Sequence, residues 1–304
     1  MPLFCESIAR FGKCDSAIIA PLTVSDLLRQ MNGAGVERAL VLSTAYLAES
    51  PMMTAPAADH LQRVRAANDF TVGLAKRFPR RFGAFISVNP LSETALPEIN
   101  RWRGNAHVAG LKLHLTSSLV DLHSQEHLQR LAAVIRAASE NRFAVVIHLG
   151  TADPRNPAKN VRNFVEQVIP SAGGSPIQIA HAGGWGGLDA KTIEALTAFA
   201  DAFEGNPLLS RTIWFDLADV WREDSLASDK SALVALIRRI GPDRFVPGSD
   251  WPFVSDLNRY YSVIYPELPL SSEEWTVIRR NAPSYSRPHF ASERTAMGSA
   301  RRIR

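Results

Sequence analysis

The chain has 304 residues, 46% of them hydrophobic and 21% charged, which suits one large α/β domain with length enough to bury a core. Its net charge of +4 is spread too thinly for a nucleic-acid surface, and no aromatic-interleaved basic motif accompanies it. No apolar run approaches the ~18 residues of a membrane span, and no signal peptide is visible.

At the N-terminus, Cys5 and Cys14 support no disulfide framework. Thr23 can cap a helix through Val24, Leu27, Leu28 and Met31, ended by Gly33 or Gly35. From there strand-like and helix-like stretches alternate, the pattern of βαβ units on a parallel sheet. Strands are predicted at 39–43, 82–88, 110–114, 144–149, 177–181, 212–217 and 245–250. Several are near-continuous apolar runs, as strands buried on both faces require. Between them, apolar stripes at helical spacing run through Leu61, Val64 and Leu74, and through Leu128, Leu131 and Ile135. Two more follow, through Ile193, Leu196, Phe199 and Phe203, and through Leu233, Leu236, Ile237 and Ile240. Segments leaving strands are long (45–59, 115–124, 150–160, 182–189, 218–229), while those entering them are often short, such as 241–244. Long loops on one face are how a (β/α)8 TIM-type barrel makes a pocket.

Such a barrel has eight strands, and seven are legible. Residues 1–7 are a poor strand, because Pro2, Cys5 and Glu6 break any pattern. The first strand is therefore expected upstream of Met1, or replaced by an irregular segment. An open edge there predicts poor stability. From residue 287 onward, Arg294, Arg301, Arg302 and Arg304 mark a basic tail, expected to be disordered, outside a single domain of residues 1–286.

Polar groups stand at the ends of several apolar runs, a costly position unless the group is used. Lys112 and His114 share one face of their strand by alternation. His148 lies with Val146, His181 with Ile177 and Ile179, and Asp250 with Val246 and Gly248. With all these faces inward, Lys112, His114, His148, His181 and Asp250 converge on one mouth. Neutral imidazole and carboxylate are ordinary ligands for Zn²⁺, Mn²⁺ or Fe²⁺. A bound metal would bring the pKa of a ligated water to about 7. Asp250 could ligate and hold that water's proton, and His181 could polarise a substrate oxygen or shuttle protons. Each group also has a plain structural reading: a hydrogen-bonded His, a Lys112–Asp250 salt bridge, or Asp216 and Asp219 capping a loop. The glycines of His181-Ala-Gly-Gly-Trp-Gly-Gly let backbone approach a ligand, or simply make a loop. Trp185 and Trp251 follow strand tips and could wall a planar substrate. Arg155 and Arg222 could take a carboxylate.

Gly-Leu-Lys-Leu-His (110–114), Val-Ile-His (146–148), Ile-Ala-His-Ala-Gly-Gly (179–184) and Pro-Gly-Ser-Asp-Trp-Pro (247–252) resemble the amidohydrolase superfamily. The likeness is to the branch of aminocarboxymuconate-semialdehyde decarboxylase and related metal-dependent hydrolases. It spans most of the chain, ending in a helix with Glu273, Glu274, Arg280, Asn281 and Ala282. The resemblance implies a (β/α)8 barrel whose first strand is missing or irregular, with His148 and Asp250 as metal ligands and His181 and Asp250 catalytic. Lys112, His114, Trp185 and Trp251 are expected at the substrate, and the location is expected to be cytoplasmic. The resemblance implies a divalent metal (zinc, or manganese) and a homodimer. It implies hydrolysis or non-oxidative decarboxylation of a small organic acid, ester, lactone or amide. The family's first-strand His-x-His pair does not appear, since no His precedes His60. That absence supports the alternative of a degenerate barrel without a tight metal site, acting as a binding or scaffold protein.

Overall fold

A computed structural model describes residues 22–52, 58–150 and 156–286. Cys5, Cys14, Arg155 and the basic tail lie outside the described residues. The first helix, α1 (Val24–Gly33), starts at a capping box in which Thr23 and Asp26 satisfy each other's backbone N–H. Then come β1 (Ala39–Leu42), α2 (His60–Arg77), β2 (Phe82–Ser87), α3 (Ala95–Arg101), β3 (Val108–His114), α4 (Gln125–Glu140) and β4 (Ala144–His148). The chain continues through α5 (Pro157–Gln167), β5 (Ile177–Ile179), α6 (Ala190–Gly205), β6 (Ile213–Asp216), α7 (Ala227–Ile240), β7 (Phe245–Val246) and α8 (Ser272–Arg280).

The strands form one seven-stranded parallel sheet in sequence order, β1 to β7. It curls as an incomplete barrel: β1 and β7 are its edges, and among the described residues no strand pairs between them. Two packed layers result. Leu111, Leu113, Val145, Ile147, Ile177, Ile179 and Phe215 face the helices. Phe85, Ala109, Ala144 and Val146 face the lumen, where Tyr285 from the C-terminal segment joins them. The sequence stripe Phe199–Phe203 on α6 packs against Phe215, with the Phe199 ring 5.2 Å away and edge-on. Each such fully buried ring contributes about 1.5–3 kcal/mol. Among the described residues, no helix is long and apolar enough to cross a membrane.

Two strands are shorter than the sequence suggests. β7 ends at Val246, because Pro247 has no N–H for the ladder. β5 ends at Ile179, where Ala180–Gly183 turn tightly with His181 (φ 53°) and Ala182 (φ 51°) left-handed. This corrects the expectation that His181 shares its facing with Ile177 and Ile179. Those two side chains enter the helix-side core, and Gln178 points into the lumen instead.

Candidate active site

The polar strand tips meet as expected, by three different local routes. β3 and β4 pair so that His114 sits beside His148 and Lys112 beside Val146. Regular alternation therefore delivers Lys112, His114 and His148 to the lumen. His181 arrives through its left-handed turn. Asp250 arrives in a loop, with φ 59°, and Asp219 likewise at φ 46°. Left-handed backbone is uncommon for residues with a Cβ and collects at functional sites. Lys112, His114, His148, His181, Asp216, Asp219 and Asp250 all line a cavity of about 1630 Å³, which extends from the mouth along the gap between β1 and β7.

The rings are ordered. His114 and His148 stack with centroids 4.1 Å apart and planes 7° from parallel. Tyr46, in the turn after β1, covers the other side of His114 at 5.1 Å. His181 and Trp185 meet His148 edge-on at 5.2 and 5.8 Å. Gly150 makes this packing possible: a Cβ there would stand 2.9 Å from the Trp185 ring and 3.0 Å from His148. Trp251 is half-buried and also lines the cavity.

Hydrogen bonds fix tautomers and positions. His114 Nδ1 accepts from the Ser117 N–H at 3.1 Å, so its proton lies on Nε2. His181 Nδ1 lies 2.7 Å from the Ala218 carbonyl, which can only accept. The neutral ring therefore carries its free lone pair on Nε2. Asp216 accepts from the His181 N–H (2.9 Å), the Gln178 amide (2.6 Å) and the Ala218 N–H (3.2 Å). Gln178 in turn accepts from the Tyr285 hydroxyl at 2.8 Å. Asp219 holds Arg222 by two bonds, of 3.1 and 2.7 Å, so Arg222 is an ion-pair partner at the rim. On the other side, Asn68 bonds both backbone groups of Ser87, and Ser87 Oγ accepts from the Tyr46 N–H. That chain sets the height of Tyr46 in the stack.

Burial shapes the electrostatics. It holds His114 and His148 well below the usual imidazole pKa, with neighbouring positive groups adding to the effect, so both are neutral. Burial also lowers the Lys112 ammonium to about 8, against the opposing charges of Asp216 and Asp250. Asp250 is pushed up from the usual carboxylate value by burial, against the pull of His181 and Lys112. The Tyr46 hydroxyl is raised by burial and by Asp250, and stays protonated.

His148 Nδ1 is buried with no hydrogen-bond partner, as a ligand nitrogen would be before loading. Yet among the described residues no group of three or more His, Cys, Asp or Glu side chains is placed to hold a metal ion. The described donors therefore do not fit a metal by themselves. Sequence reasoning named Lys112, His114, His148, His181, Asp250, Trp185 and Trp251, and all line the cavity. It missed Tyr46, whose only sequence signal is its place in a strand-exit loop, and Gln178, hidden inside an apolar run.

A family model described as Amidohydrolase matches residues 21–276. Among solved structures, 2,6-dihydroxybenzoate decarboxylase from Rhizobium is 16% identical with a TM-score of 0.61, covering 92% of this chain and 94% of that one. An amidohydrolase from Burkholderia multivorans with bound zinc is 15% identical, TM-score 0.58, covering 94% of each chain. A 5-carboxyvanillate decarboxylase from Novosphingobium aromaticivorans with bound manganese is 13% identical, TM-score 0.57, covering 91% of this chain and 90% of that one. At these identities the likeness is one of fold. No curated protein matches the chain in sequence.

Proposed function

The chain belongs to the amidohydrolase family, and we propose that it is a hydrolase or non-oxidative carboxy-lyase acting on a small organic acid at the barrel mouth. The observation that carries this is the convergence of His148, His181 and Asp250, from three strand ends, on one cavity. His181 has the form of a proton acceptor, because Ala218 occupies Nδ1 and leaves Nε2 free. Asp250, whose proton burial favours, is suited to exchange that proton with the reacting carbon or oxygen. In hydrolysis the pair would deprotonate water and protonate the leaving group. In decarboxylation it would protonate the carbon that loses CO₂. Trp185 and Trp251 would wall a flat substrate. A scaffold role is not favoured, since a scaffold has no use for buried titratable groups held on strained backbone.

Zinc or manganese, as carried by the relatives, would rest on His148 and Asp250 and needs further donors. We take residues through 286 as one domain, with a small molecule as its partner and a homodimer in the cytoplasm as the expected state. The experiment is a panel of hydroxybenzoates, lactones and small amides, with zinc or manganese supplied and CO₂ release and hydrolysis followed separately. One activity is expected, and His181→Ala and Asp250→Asn should each lower it by about 100-fold or more. Full turnover in both variants would overturn the assignment.

A further inference from the structure

Lys112 is a buried cation at the mouth without a contact partner. The residue is 6% exposed, it lies on the lumen face of β3, and it lines the cavity. Among the described residues it makes no ion pair and no hydrogen bond. Of the carboxylates at the mouth, Asp216 and Asp219 are engaged by other donors, and Asp250 acts on Lys112 without contact. Asp219 is held by Arg222, and Asp216 by three N–H donors. A buried ammonium without a contact partner is costly, by several kcal/mol in general. The charges of Asp216 and Asp250 offset part of that cost from a distance, and burial still outweighs them. Asp250 acts on Lys112 through space without reaching ion-pair distance.

We propose that Lys112 is the seat for a carboxylate of the substrate, so that this enzyme selects acids over neutral esters, lactones and amides. The inference rests on the reading of the mouth as the active site and narrows its substrate class. The register places the seat one step deeper than the paired imidazoles, since Lys112 lies beside Val146 and His114 beside His148. An acid would therefore enter carboxylate first and lay its body along the Tyr46–His114–His148 stack, within reach of His181. The ammonium would then gain a charge-assisted hydrogen bond in a water-poor site, where such a bond is strong. A neutral isostere would leave it unpaired.

The test compares benzoate with benzamide as probes, by calorimetric titration of the full chain, wild type against Lys112→Met and Lys112→Arg. Benzoate should bind wild type at least about 10-fold more tightly than benzamide. Lys112→Met should lose about 10- to 100-fold for benzoate, the worth of a hydrogen bond to a charged group, with benzamide unchanged. Lys112→Arg should recover part of the loss. Near-ultraviolet circular dichroism establishes that each variant is folded. Equal affinity for the two probes, or unchanged benzoate binding in folded Lys112→Met, would overturn the proposal. So would a ¹³C carbamate signal on Lys112 in labelled bicarbonate, because the amine would then be occupied. If Lys112→Met keeps benzoate affinity while His181→Ala and Asp250→Asn lose turnover, the active-site reading stands and only this inference falls.

Discussion

Replacing Lys112 with Met should make the protein more stable, and the gain should depend on pH. Burial lowers the ammonium from 10.5 to about 8, so the unfolded chain holds this proton more tightly than the folded one. Folding with a charged Lys112 is therefore penalised fully below the folded value, and the penalty fades as pH rises from about 8 toward 10.5. A shift of that size corresponds to about 3 kcal/mol at neutral pH. Met keeps the length and apolar stem without the charge, so Lys112→Met should recover much of that amount. For a domain of this size the change is roughly 6–12 °C in Tm. Differential scanning calorimetry of both proteins at pH 7 and pH 10 measures it. The gap should be wide at pH 7 and narrow at pH 10. A variant destabilised by more than ~1 kcal/mol at pH 7 would refute the reasoning, since it would mean that Lys112 already has a partner worth more than its burial costs.

Other substitutions probe the walls and supports of the mouth. Gly150→Ala would drive a methyl group into the Trp185 ring and His148. Because Trp185 is 46% exposed and can swing away, the cost in stability should be about 1 kcal/mol or less, with turnover falling about 10-fold or more and Trp fluorescence shifting. Unaltered turnover would separate the Trp185–His148 contact from the chemistry. Tyr285→Phe removes the donor to a buried Gln178 oxygen. Urea denaturation should show a loss of about 1–3 kcal/mol, and no loss would mean that water already serves that oxygen. Arg101→Met strips the main partner from buried Glu98. Burial alone would raise the Glu98 pKa, but hydrogen bonds from Arg101, Asn68 and Trp102 hold it lowered. That stabilisation is present above the unfolded value of 4.5 and is lost as pH falls through the folded value. Wild type should therefore lose stability below about pH 4.5, and the variant should lack that component. Parallel acid unfolding curves would contradict the pairing.

The parallel sheet was legible because its strands are buried on both faces. Runs such as Ala-Val-Val-Ile-His leave little else that residues 144–148 could be, and His148 falls where that run ends. Lys112 and His114 were equally readable, since strict alternation inside a regular strand carries a facing from one residue to the next. The same reasoning failed at His181. Alternation from Ile177 and Ile179 points to the helix layer, and only a tight turn reverses the facing. Asp250 was assigned the correct cavity, but on a strand that stops four residues earlier at Val246. Tyr285 could not be found by any local rule, because its link to Gln178 spans 107 residues.

The tips whose facing or element escaped the sequence rules share one feature, backbone strain. His181, Ala182, Asp219 and Asp250 all adopt left-handed backbone with a Cβ present. Each costs about 1 kcal/mol or more and persists only where surrounding contacts over-determine it. Those contacts are visible here. Asp216 holds the His181 N–H, the Ala218 carbonyl takes the His181 ring, and the Tyr260 hydroxyl accepts the Asp219 N–H at 2.7 Å. The Gly187 N–H closes on the Asp219 carbonyl at 2.6 Å, at a glycine whose φ of 95° no side chain adopts easily. Local preference would straighten these tips and turn His181 and Asp250 away from one another. The polar scaffold around Asp216 holds His181 inward, through the His181 and Ala218 N–H groups and the Ala218 carbonyl, which makes this carboxylate, although it need not touch substrate, the group on which the facing of His181 depends.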